Sequence, residues 1–190
     1  GELILALITD DDITHTAINS GSWFDTQTWE NGLVPNTDSW VLIPEGITVI
    51  YDQISQVPIR GIESRGRLKF SSTQSSQLRV DTLVIEHTGE LIIGTKNSPI
   101  QSNVSVNISF VDYGDLDLNR DPMMFGRGIL AMGKVSIHGE TKTTHLKVSS
   151  DPMIGDTQIT LANAPKNWHI GDTLVLAGTK YSGWKWNNNV

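Results

Sequence analysis

The sequence predicts an all-β chain: a right-handed parallel β-helix, or solenoid, of about seven to eight coils with a tryptophan-containing cap at its N-terminal end. Three observations point there. A unit recurs: Ile59 to Phe70 and Leu83 to Ile93 each run from an alternating strand through a glycine corner into a second short apolar strand, and Gly66 and Gly89 stand 23 residues apart. Punctuation is dense, with 17 Gly and 7 Pro, and no stretch carries the apolar spacing of an ordinary helix. Short strand-like runs, the apolar Trp40–Pro44 and the alternating Val104–Phe110 among them, repeat between turn signals. Glycine is expected at the corners because a sharp bend often needs positive φ, which costs glycine nothing.

The elements follow in order. Residues 1–19 read as a capping segment, with Leu3–Ile8 as a covering strand, an acidic turn at Asp10–Asp12 and a possible strand at Thr14–Ile18. Trp23 and Trp29, separated by turn formers, make an aromatic hook: a plug over an open core end, or a platform on which a sugar ring could stack. Asn31–Asp38 is a turn; Trp40–Pro44 and Ile47–Asp52 are strands around Glu45-Gly46, with Pro44 closing its strand. After the repeat come a loop at Lys96–Pro99, a half-wet strand at Val104–Phe110 and an acidic insertion at Asp112–Pro122. Gly133–Gly139 returns to the strand rhythm, and residues 151–190 are expected to continue it with further strands. Arg60, Glu63, Arg67, Lys69 and Glu86 read as a solvated face, and Asp172 as a turn cap.

Composition narrows the function classes. There is no cysteine, which excludes disulfides and thiolate metal sites. A net charge of −7 without a local basic patch argues against nucleic acid, and mildly against long polyanions. No segment is long enough to insert into a membrane, and the apolar start lacks the basic flank and cleavage site of a complete signal peptide. The abrupt end, Trp184-Lys185-Trp186 and three asparagines before Val190, suggests a piece of a longer chain. No phosphate loop, nucleophile elbow or paired-histidine motif is present.

The ordered series Gly21, Trp23, Asp25, Trp29, Gly32, Pro35, then Val41, Ile43-Pro44, Gly46, Val49, then Gly66-x-Leu68-x-Phe70, Gly89-x-Leu91-x-Ile93-Gly94-Thr95 and Gly128–Gly139 resembles the G8 domain, named for its recurring glycines. The resemblance covers roughly residues 20–150. It implies a β-helix-like fold and an extracellular or cell-surface setting. Animal members include the cell-surface and cell-migration-inducing hyaluronidases and fibrocystin; the lack of cysteine suits a bacterial member.

Chemistry concentrates in the insertion. Asp115, Asp117 and Asn119 recur at alternate positions and, with Asp112 and Asp121, could offer oxygen donors to calcium. The EF-hand pattern fails, since its sixth position would be Arg120 and its twelfth Gly126. Asp115, Asp117, Asp121 and His138 are the candidates for acid–base catalysis, with Arg127 and Lys134 as cations. His138 and His145 lack a third ligand at fixed spacing for zinc. Trp23, Trp29, Arg127, Trp184 and Trp186 are the candidates for carbohydrate contact. Asn103-Val104-Ser105 and Asn107-Ile108-Ser109 are formal glycosylation sequons, meaningless in a bacterial host.

The expectation is a non-catalytic extracellular module of a larger secreted or surface protein, binding a glycosaminoglycan-like or other polysaccharide and packing beside neighbouring domains of its own chain. It needs no cofactor, with calcium as the one candidate. The alternatives are part of a hyaluronidase-like enzyme, a glycosidase or polysaccharide lyase, and a purely structural adhesin stalk.

Overall fold

A computed structural model of the chain describes residues 7–178. These form two units, residues up to Glu140 and residues from Thr141 onward. The expected strand at Leu3–Ile8 falls mostly outside the described residues.

The first unit is all-β. Its strands are β1 (His15–Thr16), β2 (Gly21–Ser22), β3 (Trp40–Ile43), β4 (Thr48–Tyr51), β5 (Ile54–Ser64), β6 (Arg67–Phe70), β7 (Ser76–Ile85), β8 (Glu90–Ile93), β9 (Val106–Phe110), β10 (Ile129–Ala131) and β11 (Lys134–Ile137). One sheet runs β1-β3-β5-β7-β10, with β9 also on β7; the other runs β11-β8-β6-β4-β2. Every named pairing is parallel. From β1 to β8 the chain alternates between the sheets, and the turns at Gly46, Gly66 and Gly89 carry it across; β9 and β10 then both join the first sheet.

The alternation read from the sequence sets the core. β3 and β4 bury every second residue, so Val41, Ile43, Val49 and Tyr51 face inward. Register then stacks like on like: Val41 lies beside Ile62, and Ile62 beside Leu83, in one sheet. Val49, Leu68 and Leu91 do the same in the other. Each such side chain contributes about 1.5–3 kcal/mol by leaving water. Tyr51 and Phe70 stack at 5.5 Å between ring centroids. The ladders end openly, for Ile129 and Val135 in the last strands are each 43 % exposed.

The corner glycines are required for a reason other than the expected positive φ. A Cβ on Gly66 would sit 2.2 Å from the Pro44 carbonyl oxygen, and one on Gly89 2.1 Å from that of Ser64. Neither residue is among those with positive φ. The preceding turn's backbone occupies the space of a side chain.

The solenoid expectation needs correction. The described residues form two parallel sheets and no closed β-helix, and their strands do not amount to seven or eight coils. The reason is visible at β7. The first half of its outer edge pairs with β9 (Ser76 with Val106 through Val80 with Phe110), and its second half with β10 (Leu83 with Ile129 through Ile85 with Ala131). The long insertion between β9 and β10 lets the sheet fork where a solenoid would add one more identical coil. The all-β class stands.

The second unit, described to residue 178, holds one antiparallel bridge, Val148 with Leu161, and no extended strand among its described residues. Turn bonds hold it. Asp172 takes the His169 amide at 2.9 Å, as its turn-capping reading expects, and pairs with Lys142 at 2.7 Å. Trp168 donates its indole N–H to the Thr143 carbonyl at 2.7 Å.

Candidate functional site

The tryptophan hook is a plug. Trp23 and Trp29 are each 1 % exposed and meet edge to face at 5.1 Å. The Trp29 indole N–H donates to the Trp23 carbonyl at 2.8 Å, and Trp23 lies 5.3 Å from Tyr51. The short 3-10 turn Thr26–Thr28 sets this geometry, capped by Asp25, whose carboxylate accepts the Gln27 amide. With both indoles in the core, neither offers a face to a sugar. Trp184 and Trp186 lie outside the described residues.

The acidic insertion is braced along its length. Asp121, only 6 % exposed, accepts the amides of Phe125 and Gly126, each at 2.8 Å, one on each oxygen. Its carboxylate closes the loop tip. Arg120 donates to the Leu7 carbonyl, pairs with Asp12 and lies over the Trp40 ring. Arg127 adopts φ 59° and reaches Asp112 at 3.0 Å, Asp81 at 3.5 Å and the Gly114 carbonyl. Burial pushes the Asp81 carboxyl above its ordinary value, and Arg127 pulls it part of the way back. Asp115, Asp117 and Asn119 are exposed, and Asp117 accepts the Asn119 amide at 2.9 Å. Among the described residues, no group of three or more His, Asp or Glu side chains is placed to hold a metal ion. The alternating residues occupy turns, so strand parity never aligns their oxygens.

Further along, Lys134 and Arg67 both pair with Glu90, at 2.7 and 3.2 Å, and hold its carboxyl below the usual range. The exposed His138 lies with Nδ1 3.3 Å from the Ser136 hydroxyl; its backbone carbonyl receives the Ile100 amide at 2.8 Å. Glu63, read as a solvated residue, is 5 % exposed and bonds Arg65 at 2.6 Å. Its burial raises its pKa, with Arg65 opposing.

Two concave places stand out among the described residues. A cavity of about 280 Å³ lies between Ile8, Thr9, Asp10, Glu63, Arg65, Val84 and Glu86. Arg65 spans it, bonding both Glu63 and Asp10. The larger place, about 480 Å³, is a groove lined by Ser72, Thr73, Ser98, Pro99, Ile100, Gln101, Ser102, Asn103 and Glu140. Three segments of the first unit build it: the turn after β6, the loop between β8 and β9, and the residues after β11. Thr95 and Ser98 exchange backbone bonds, Gln101 donates to the Ser72 carbonyl at 3.1 Å, and Ile100 bridges to Gly139. Gly94, at φ 73°, makes the bend in a place where a Cβ would meet the His138 carbonyl oxygen at 2.2 Å.

The groove is hydroxyl- and amide-rich. Its one titratable lining residue is Glu140, whose Oε2 is buried with no hydrogen-bond partner. A buried polar atom left in that state costs about 1–3 kcal/mol until something donates to it. Pro99 and Ile100 supply an apolar strip. Donor–acceptor hydroxyls, amides and one acceptor beside such a strip suit a polyol. Paired acids for glycosidic cleavage are missing from this lining. Asn103 of the first sequon stands exposed at the rim; Asn107 of the second lies in β9 and donates to the Ser105 hydroxyl at 3.1 Å.

Sequence reasoning missed this groove. The signal was the pair of polar spacers, residues 71–77 and 95–103, one repeat apart. Stacked rungs bring such spacers together at one side.

This is a parallel two-sheet scaffold with glycine-tight corners and polar loops on one flank. A family model for the G8 domain matches residues 28–149, and the chain belongs to the G8 domain family. It is 29% identical over 164 residues to fibrocystin of Canis lupus familiaris, covering 81% of this chain and 4% of that protein. It is 26% identical to fibrocystin-L of Homo sapiens, over 83% of this chain and 4% of the relative. Communication mutant protein F of Dictyostelium discoideum is also 26% identical, over 87% of this chain and 15% of its own length. The chain thus spans a small fraction of these relatives. No solved structure matches it.

Proposed function

We propose that this chain is a non-catalytic, carbohydrate-binding module of a larger secreted or cell-surface protein, and that the polar groove is where the carbohydrate sits. The carrying observation is a groove of about 480 Å³ lined by Ser72, Thr73, Ser98, Gln101, Ser102 and Asn103, whose hydroxyls and amides can both donate to and accept from a polyol. The non-catalytic part is supported by Asp121, a catalytic candidate whose two oxygens hold backbone amides, and by the lack of paired acids in the groove lining. The modular part is supported by the relatives, in which the matched region is 4% to 15% of a far longer chain. The extracellular part rests on the family resemblance and is tested by surface labelling of the parent protein on intact cells.

A glycan array tests the binding. The whole chain is expected to retain a defined set of glycans at millimolar concentration or below, and Glu140→Ala to lose them. Trp23 is not to be varied as a binding control, because its burial makes the plug collapse. Retention by no glycan in the array sinks this reading. Release of reducing ends or unsaturated products from a glycan would instead support the hyaluronidase-like alternative.

A further inference from the structure

We propose that the tip of the insertion, Leu118 to Phe125, is a docking surface for a basic amphipathic segment of a partner protein. Leu118, Met123, Met124 and Phe125 are each between 41 % and 65 % exposed, four large apolar side chains on one short stretch. The stretch is firmly held. The Asp121 amide donates to the Asp117 carbonyl at 2.7 Å and the Met124 amide to the Asp121 carbonyl at 3.1 Å, so residues 117–124 form consecutive turns. Asp121 then takes the Phe125 and Gly126 amides, and Arg120 and Arg127 fasten the tip through Asp12, Asp81 and Asp112. Met124 sits at φ 54°, a left-handed backbone that a bulky side chain rarely adopts and that persists only where its surroundings impose it. Apolar side chains displayed on a rigid loop lower the ordering cost of binding. Methionine adds a side chain that moulds itself to varied apolar partners. Charge sets the partner's chemistry. The cations near the insertion are engaged, Arg60 over the Tyr113 ring and Arg120 and Arg127 with carboxylates. Asp115 and Asp117 are exposed, and neither pairs with a cation among the described residues. The fitting partner therefore brings apolar side chains beside cations, as a helix with Lys or Arg flanking its apolar stripe does. An anionic lipid surface would meet the same carboxylates with like charge. The tip shares no residue with the polar groove, so the two readings stand or fall separately.

Fluorescence anisotropy of a labelled synthetic Lys/Leu amphipathic helix, titrated with the whole chain, tests this. The controls are a Glu/Leu helix of equal length and vesicles of neutral phosphatidylcholine. The Lys/Leu helix is expected to bind at least about tenfold more tightly than the Glu/Leu helix, and more weakly as salt rises. A chain of net charge −7 attracts any polycation, so variants of the tip decide the matter. Met123→Ser combined with Met124→Asn removes the apolar side chains, and asparagine suits the left-handed backbone at 124. This variant should weaken Lys/Leu binding about tenfold. Asp115→Lys should weaken it by a similar factor and flatten its salt dependence. Both variants should keep the urea midpoint of wild type, since all three side chains are exposed. Lys/Leu binding that neither variant weakens overturns the proposal, because the peptide then sits elsewhere on the acidic surface. Equal affinity for the two helices, or binding of neither, overturns it as well. Vesicle binding that the methionine variant abolishes, without preference for the Lys/Leu helix, assigns the tip to a lipid surface instead.

Discussion

At Gly89 a carbonyl oxygen stands where a side chain would begin. The Ser64 oxygen lies 2.1 Å from an ideal Cβ, and it belongs to the backbone of the preceding rung, which cannot yield without breaking parallel pairing. Gly89→Ala should therefore destabilise the first unit by about 1–3 kcal/mol, read as a fall in urea midpoint. Gly128→Ala, with no atom within 4 Å of its Cβ, should stay within about 0.5 kcal/mol of wild type. Equal effects would remove the steric account of the corners. Glu63 gives a second residue-scale test. Burial raises its folded-state pKa, so the folded chain holds the proton more tightly than the unfolded one. Its contribution is greatest below the ordinary glutamate value, about 4.3, and is lost as pH rises through the raised one. The stability of Glu63→Gln relative to wild type should thus rise from pH 4 towards neutrality. A flat difference would mean that Arg65 fully compensates the burial. Positions such as Gly66 and Gly89 were legible as corners from their spacing, but their cause was not. A close approach by another strand's backbone leaves no local trace. Glu63 was misread for a related reason: period two puts it on the outer face, and only the fold brings Arg65 and the residues near Ile8 over that face.

At the scale of the element, the ladders and the insertion behave differently. Leu68 is fully buried between Val49 and Leu91, and Leu68→Ala should cost about 2–5 kcal/mol through lost burial and a residual cavity. Val135 continues the same ladder but is 43 % exposed, and Val135→Ala should cost less than about 1 kcal/mol. The insertion is held by polar bonds. Asp121→Ala would strand the Phe125 and Gly126 amides and free the tip that carries Met123, Met124 and Phe125. Proteolytic nicking at this tip should accelerate, with the urea midpoint of the sheets little changed. A global loss of stability would show that the loop is integral to the core. The strands from Trp40 to Ile93 were legible because apolar alternation is a local pattern that burial enforces. The insertion was not legible as a brace. Its alternating Asp115, Asp117 and Asn119 look like a strand face in sequence, yet Asp117 accepts the Asn119 amide and turns the chain there.

At the scale of the molecule, the first unit combines a two-sheet scaffold with polar loops that stack along one flank. The repeat announced the scaffold, and the glycine series announced the family. The closed coil did not follow, because the outer edge of β7 is shared by β9 and β10, a fork that no repeat period encodes. The groove escaped notice because its residues come from positions near 72, 100 and 140, joined only by parallel register. The central proposal is the polyol site in this groove. The most direct measurement is a backbone amide NMR titration of the whole chain with a neutral oligosaccharide that it retains. The account predicts saturable shifts confined to Ser72, Thr73, Gln101, Ser102, Asn103 and Glu140, lost in Glu140→Ala. Shifts centred on the acidic insertion, or none in the groove while binding persists, would contradict it.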